Sequence, residues 1–169
     1  MARSSRRRVR KREFVTPHAP LDLVAEAGPP RVGAFRRALR RWLGDALEVR
    51  QVEAGAGGDL TDDLEDLADD LVLATSEALE NVVDHAFANS PAPGAMRLRA
   101  GIVDDVVTIV VTDDGHWRSP MTGPTTRGRG LTLMESLTDV EVHHGGVGTT
   151  VTMRRPLPQP AHERRSAQA

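Results

Sequence analysis

Two periods organise the apolar residues between positions 21 and 156. In PPRVGAFRRALRRWLGDAL, Val32, Phe35, Leu39, Leu43 and Leu47 recur at helical spacing, with arginines opposite. Pro29 and Pro30 stand at the start of this helix, where a missing N–H does no harm. After a loop, EAGAGGD (residues 53–59), the residues Leu60, Leu64, Leu67, Leu71, Ala74 and Ala78 form one continuous stripe. That stripe marks a second, longer helix, which Asp59 or Thr61 could cap and which NSPAPG (residues 89–94) ends. Elsewhere the period is two. LDLVA supplies an early strand around Leu21 to Ala25. In AMRLRAGIV, Met96, Leu98 and Ala100 alternate with Arg97 and Arg99, a strand with one wet face. VVTIVVT is apolar on both faces and reads as central, joined to its predecessor by a hairpin at Asp104-Asp105. LTLMESLTD makes a short helix, and VEVHH and TTVTMRR make a second hairpin across GGVG. Helices on one face of a mixed, mainly antiparallel sheet give an α+β two-layer sandwich.

Composition narrows the class. The chain has 169 residues, 39% hydrophobic and 27% charged, enough for one well-buried domain. It contains no cysteine, which excludes disulfides and cysteine-bound zinc. No apolar run approaches the ~18 residues of a membrane span, and no apolar signal segment follows the basic start, so the expected location is the cytoplasm. Residues 1–12, MARSSRRRVRKR, hold seven of the 22 basic residues and no acid. The other 15 face 24 acidic residues, a net of −9. The expected organisation is a basic disordered tail (1–13), a single domain (14–157) and a disordered C-terminal tail (158–169). Lys11 is the only lysine, and no Gly-Lys pair exists, so a GxxxxGK[ST] phosphate loop is impossible.

Candidate chemistry begins in SEALENVVDHAF, residues 76–87, where Glu77, Asn81 and His85 recur every fourth residue. With Ala78 on the buried stripe as origin and about 100° per residue, His85 falls near −20°, Asn81 near −60° and Glu77 near −100°. Asn81 and His85 thus belong to the buried half, with Glu77 at its border. A buried amide without partners costs ~1–3 kcal/mol, so either internal hydrogen bonds or a ligand must compensate. Three further segments carry chemistry. VVTIVVTDDG ends a buried strand on Asp113, with Gly115 two residues later; such a carboxylate can accept from an amino group, beside backbone left open to a flat ligand. RGRGL places Gly128 and Gly130 before a helix, whose first N–H groups can meet an anion. GVGTTVTM puts Gly148, Thr149 and Thr150 at the start of a closing strand. The connection from 113 to 130, rich in Gly, Pro and Thr, is long for a compact domain, a mark of function.

In this order, ExxxN on a helix, DxG after a strand, GxGL opening a helix and GTT opening a strand resemble the Bergerat (GHKL) ATP-binding fold. The runs SEALENVVDHA, RGRGLTLMESLTDVEV and GTTVTMRR are most similar to the anti-sigma factor serine kinases and their stand-alone actinobacterial relatives, and the resemblance covers about residues 14–155. It implies a protein-serine kinase that binds ATP and Mg²⁺, phosphorylates an anti-anti-sigma (STAS-type) antagonist and controls a sigma factor by partner switching. Among its implied site residues, Asn81 would ligate Mg²⁺ and Glu77 would be the general base. Asp113 would accept from the adenine amine, and Gly115 would leave room for the ring. Gly128, Gly130 and Leu131 would present backbone to the phosphates, and Thr149 or Thr150 would reach adenine through water. The resemblance gives His85 a packing role, and a homodimer is a further expectation from it. Arg127 or Arg129 could neutralise phosphate charge.

Two departures stand out: Trp117 replaces the second glycine of the family's DxGxG, and the loop covering ATP is shorter. They support an alternative, a nucleotide-gated protein-binding module without kinase activity. Other chemistries find less support. His143 and His144 are strand neighbours pointing to opposite faces, so they do not readily share a metal ion. GxSxG is absent, which argues against a serine hydrolase. No recognition helix or interleaved aromatic pattern supports direct nucleic-acid binding.

Overall fold

The structure is a computed structural model, described here for residues 18–54, 58–86, 94–115, 129–146 and 148–159. The chain runs β1 (Leu21–Glu26), α1 (Pro29–Ala54), α2 (Gly58–Asn81), a π-helical turn (Val82–Ala86), β2 (Ala95–Val103), β3 (Val106–Asp113), α3 (Arg129–Leu137), β4 (Asp139–Gly145) and β5 (Gly148–Pro156). The strands form one sheet in the order β1-β2-β3-β5-β4, and all four pairings among them are antiparallel. The apolar β3 is indeed central.

Both helical stripes face the sheet. Leu39 and Leu43 of α1 and Leu64, Leu67 and Leu71 of α2 are buried against Leu98 and Ile109 of the strands. Arg36, Arg37, Arg40 and Arg41 line the outside of α1, opposite its buried stripe, and Arg40 pairs there with Asp69 of α2. The other face of the sheet is wet: Val24 is 64% exposed, and Arg97 reaches across from β2 to pair with Asp22 of β1. The hairpin at Asp104-Asp105 has φ of 51° and 57° at its two central residues, the type I′ geometry that fits the twist of the strands it joins.

Two boundaries differ from the periodicity. Helix α1 continues through EVRQVEA to Ala54, because nothing in that stretch breaks a helix, and α2 begins at Gly58. Asp59 and Thr61 therefore fall inside the first turn of α2, not at its cap. At the other end α-geometry stops at Asn81 and gives way to the π-helical turn. The angle derived for His85 assumed α-spacing through residue 85, so it no longer applies. The two tails expected from the sequence lie almost wholly outside the described residues, as do Trp117, Arg127 and Gly128.

Arg155 of β5 ties the helices to the sheet. It pairs with Asp70 in the middle of α2 and donates to the Leu137 carbonyl at the end of α3, 3.0 Å away. α2, α3 and β5, which carry most of the candidate residues, thus share one half-buried guanidinium.

Candidate nucleotide site

The last α-helical turns of α2 and the first turn of α3 meet at Glu77, Asn81 and Gly130. A Cβ built on Gly130 would lie 2.9 Å from Glu77 Oε2, 3.6 Å from Asn81 Nδ2 and 3.9 Å from Asn81 Oδ1. A side chain at this position would push the Glu77 carboxylate aside, while the Asn81 amide would stay at ordinary contact distance. Glu77 and Asn81 are half-buried, and among the described residues neither side chain has a hydrogen-bond partner. The neighbouring Thr75 and Ser76 are buried but satisfied, each hydroxyl donating to the carbonyl four residues back at 2.7 Å. Within the polar row, Asn81 thus has no internal partner among the described residues, and the His85 side chain lies outside them. Glu80 is exposed on the far side.

A second group forms where β3 ends. Asp113 is half-buried; its carboxylate accepts from the backbone N–H of Gly115 at 2.8 Å, and the Thr149 N–H faces it from β5. Burial pushes its pKa up and the charge of Asp114 adds to this, while the two backbone donors and the nearby His144 pull it down; the net direction is upward. Asp114 acts elsewhere, its Oδ1 accepting from Ala95 N at 2.8 Å and pinning the start of β2. Gly115 is buried.

The β4–β5 hairpin closes tightly over this strand end. Gly148 has φ of +123°, and a Cβ there would lie 1.9 Å from the Asp113 carbonyl oxygen. Gly148 is thus required twice, by its backbone conformation and by contact with Asp113. From sequence alone GVG signals only a turn, so this second demand was hidden.

Register separates the two threonines. Val111 pairs with Val151, and both contribute to the core side. Two residues further along each strand, Asp113 and Thr149 share that side, and Thr149 is buried. Thr150 pairs with Thr112 and His143 on the opposite, wet face, away from Asp113. Of the two candidates, only Thr149 accompanies the carboxylate. The histidines divide in the same way: His143 bonds Glu141 at 2.8 Å on the wet face, and His144 stands opposite Thr149. Among the described residues no group of three or more metal-ligating side chains exists. Leu131 follows Gly130 on α3 and is 43% exposed.

The residues gathered here suit an adenine nucleotide bound at two ends. Asp113 offers an acceptor for a base, with Gly115 and Thr149 beside it. The start of α3 offers first-turn N–H groups, which a helix cannot satisfy from within, for phosphate. Asn81 offers a neutral carboxamide oxygen, the kind of hard ligand Mg²⁺ takes when it shares phosphate oxygens.

Comparison with known proteins agrees. Residues 25–155 match the family model of the histidine kinase-like ATPase domain. The serine-protein kinase RsbW of Bacillus licheniformis is 36% identical over 151 residues, covering 80% of this chain and 84% of that kinase. RsbW of Bacillus velezensis is 33% identical over 111 residues, 57% of this chain, and the match spans 66% of that kinase. The crystal structure of the RsbU and RsbW domains of Rv1364c from Mycobacterium tuberculosis superposes with a TM-score of 0.62 at 28% identity, over 86% of this chain and 34% of that one. Among the described residues no helix is long and apolar enough to cross a membrane. Fold, motif order and relatives converge: the chain belongs to the histidine kinase-like ATPase domain family, in the company of the RsbW serine kinases, and its domain is one that uses ATP.

Proposed function

We propose that the chain is an ATP-dependent protein-serine kinase that phosphorylates an anti-anti-sigma antagonist and thereby controls a sigma factor by partner switching. The observation that carries this reading is the placement of Glu77 and Asn81 against Gly130, a carboxylate and an amide beside the N–H groups that open α3. Asp113 reads the adenine amine, with Gly115 and Thr149 around the ring. Gly128, Gly130 and Leu131 face the phosphates. Asn81 would hold a Mg²⁺ ion, which when bound would supply positive charge beside the phosphates. Glu77, one turn before Asn81, orients the attacking serine hydroxyl and takes its proton. Transfer through a loose transition state depends on positioning and charge rather than covalent help, which is all that these residues supply.

The test pairs the purified chain with labelled ATP and STAS-type proteins encoded in the same genome. Glu77→Ala is expected to lower phosphoryl transfer by ~10²-fold or more while leaving nucleotide affinity little changed. Undiminished transfer would remove Glu77 as the base. If partner regulation in cells survives Glu77→Ala but not Asn81→Ala, the chain is instead a nucleotide-gated binding module. Tight ATP binding by Asp113→Ala would overturn the assignment of the site.

A further inference from the structure

His144 is the next-to-last residue of β4, opposite Thr149 across the β4–β5 ladder. Two and four positions earlier, Val142 and Val140 pair with Val151 and Met153, which pack on the core side of the sheet. Alternation therefore sets His144 on the face of Thr149 and Asp113, while His143 takes the wet face with Glu141. Thr149 is buried and His144 is exposed, so the imidazole stands at the rim of the ground formed by Asp113, Gly115 and Thr149. With β5 between them, the β3 and β4 backbones are roughly 10 Å apart, a range at which a cation at position 144 favours the carboxylate form of Asp113.

We propose that His144 is a specificity-determining residue of the base site, a cationic wall beside the Asp113 acceptor that favours a 6-aminopurine over a 6-oxopurine. The inference rests on the nucleotide site proposed above. A carboxylate accepts from an exocyclic amine; a carboxylic acid can donate, and so can meet the O6 of a 6-oxopurine. Burial works against the carboxylate form of Asp113, as does Asp114 at the same strand end. From β5 it meets the Thr149 N–H, from its own chain the Gly115 N–H, and from β4 the charge of His144. The two N–H groups are fixed by the fold. Among the described residues His144 is the favourable influence that a side-chain substitution can remove, and it stands exposed on an edge strand, away from the core.

The test is calorimetric titration of the full chain with ADP and with GDP, from acid to slightly alkaline pH, at low and high salt. Wild type is compared with His144→Asn, which removes the charge, and with His144→Arg, which makes it permanent. His144→Asn is expected to weaken ADP binding roughly two- to five-fold on the acid side of neutrality. The loss of ADP affinity at low pH should begin at a higher pH, and the preference for ADP over GDP should narrow. His144→Arg should restore both, and high salt should erase the differences, because an exposed charge at this range is screened. Identical ADP affinity and ADP/GDP ratio in wild type and His144→Asn across the pH range would overturn the role of His144 and leave the site standing. Failure of wild type to bind ADP would overturn the site and the inference together.

Discussion

Replacing Gly148 by alanine concentrates the demands of the base site on one methyl group. The new Cβ would sit 1.9 Å from the Asp113 carbonyl oxygen, 2.8 Å from its carbonyl carbon and 3.0 Å from Asp114 Cα. All three are backbone atoms, so no flexible side chain can yield, and the hairpin must back away from β3 by roughly 1.5–2 Å to reach an ordinary contact. The φ of +123° adds strain of about 1–3 kcal/mol for a residue with a side chain. Movement of the hairpin also displaces the Thr149 N–H that faces the Asp113 carboxylate from β5. The strain alone, about 1–3 kcal/mol, is a large share of the ~5–15 kcal/mol that holds a domain together. Urea denaturation should show a midpoint shift of that size, and calorimetry should show ADP affinity reduced by ~10-fold or more, since the acceptor is displaced. A Gly148→Ala chain with stability within ~0.5 kcal/mol of wild type and unchanged ADP affinity would refute the contact and its link to the base.

Other substitutions separate stability from chemistry. At Gly130 the added Cβ meets the far end of Glu77, 2.9 Å away, which can swing aside; Gly130→Ala should leave unfolding little changed but slow phosphoryl transfer by ~10-fold or more, read in a single-turnover assay. Because burial raises the pKa of Asp113 from its ordinary 3.8, the native state holds more protons than the unfolded chain between the two values. Stability therefore falls as pH rises through that window and stays lower above it. Asp113→Asn keeps an acceptor oxygen for Gly115 and Thr149. Its thermal midpoint at neutral pH should equal or exceed wild type, with ADP affinity down by ~10-fold or more; a clearly lower midpoint would contradict the direction of the burial effect. Arg155→Met leaves the Asp70 carboxylate half-buried and unpaired and frees the Leu137 carbonyl. Denaturation should report a loss of about 1–3 kcal/mol.

The helices were legible because their stripes are long. Five apolar residues in α1 and six in α2 fix a buried face that no strand pairing could satisfy, and all of them are buried. The hairpin at Asp104-Asp105 was legible from alternation on both sides, and aspartate tolerates the left-handed turn it requires. What stayed hidden depends on register and through-space contact. Whether Thr149 or Thr150 shares a face with Asp113 follows from the pairing of β5 with β3, which no local spacing states. The contact of Gly148 with Asp113 joins residues 35 positions apart. The π-helical turn after Asn81 leaves no mark in apolar spacing, since Val82 continues the stripe four residues after Ala78 as an α-helix would. His144 was visible only as half of a metal pair that strand geometry disfavours; its place beside Thr149 emerges once β4 and β5 are aligned.

The central claim is that α2, β3, α3 and β5 assemble an ATP site in which Asn81 recruits Mg²⁺. Calorimetric titration of the purified wild-type chain with ATP, with and without Mg²⁺, tests it most directly. The account requires saturable binding that strengthens when Mg²⁺ is present and loses that dependence in Asn81→Ala. No heat of binding under either condition would contradict it, and the function would then have to be sought in protein contacts alone.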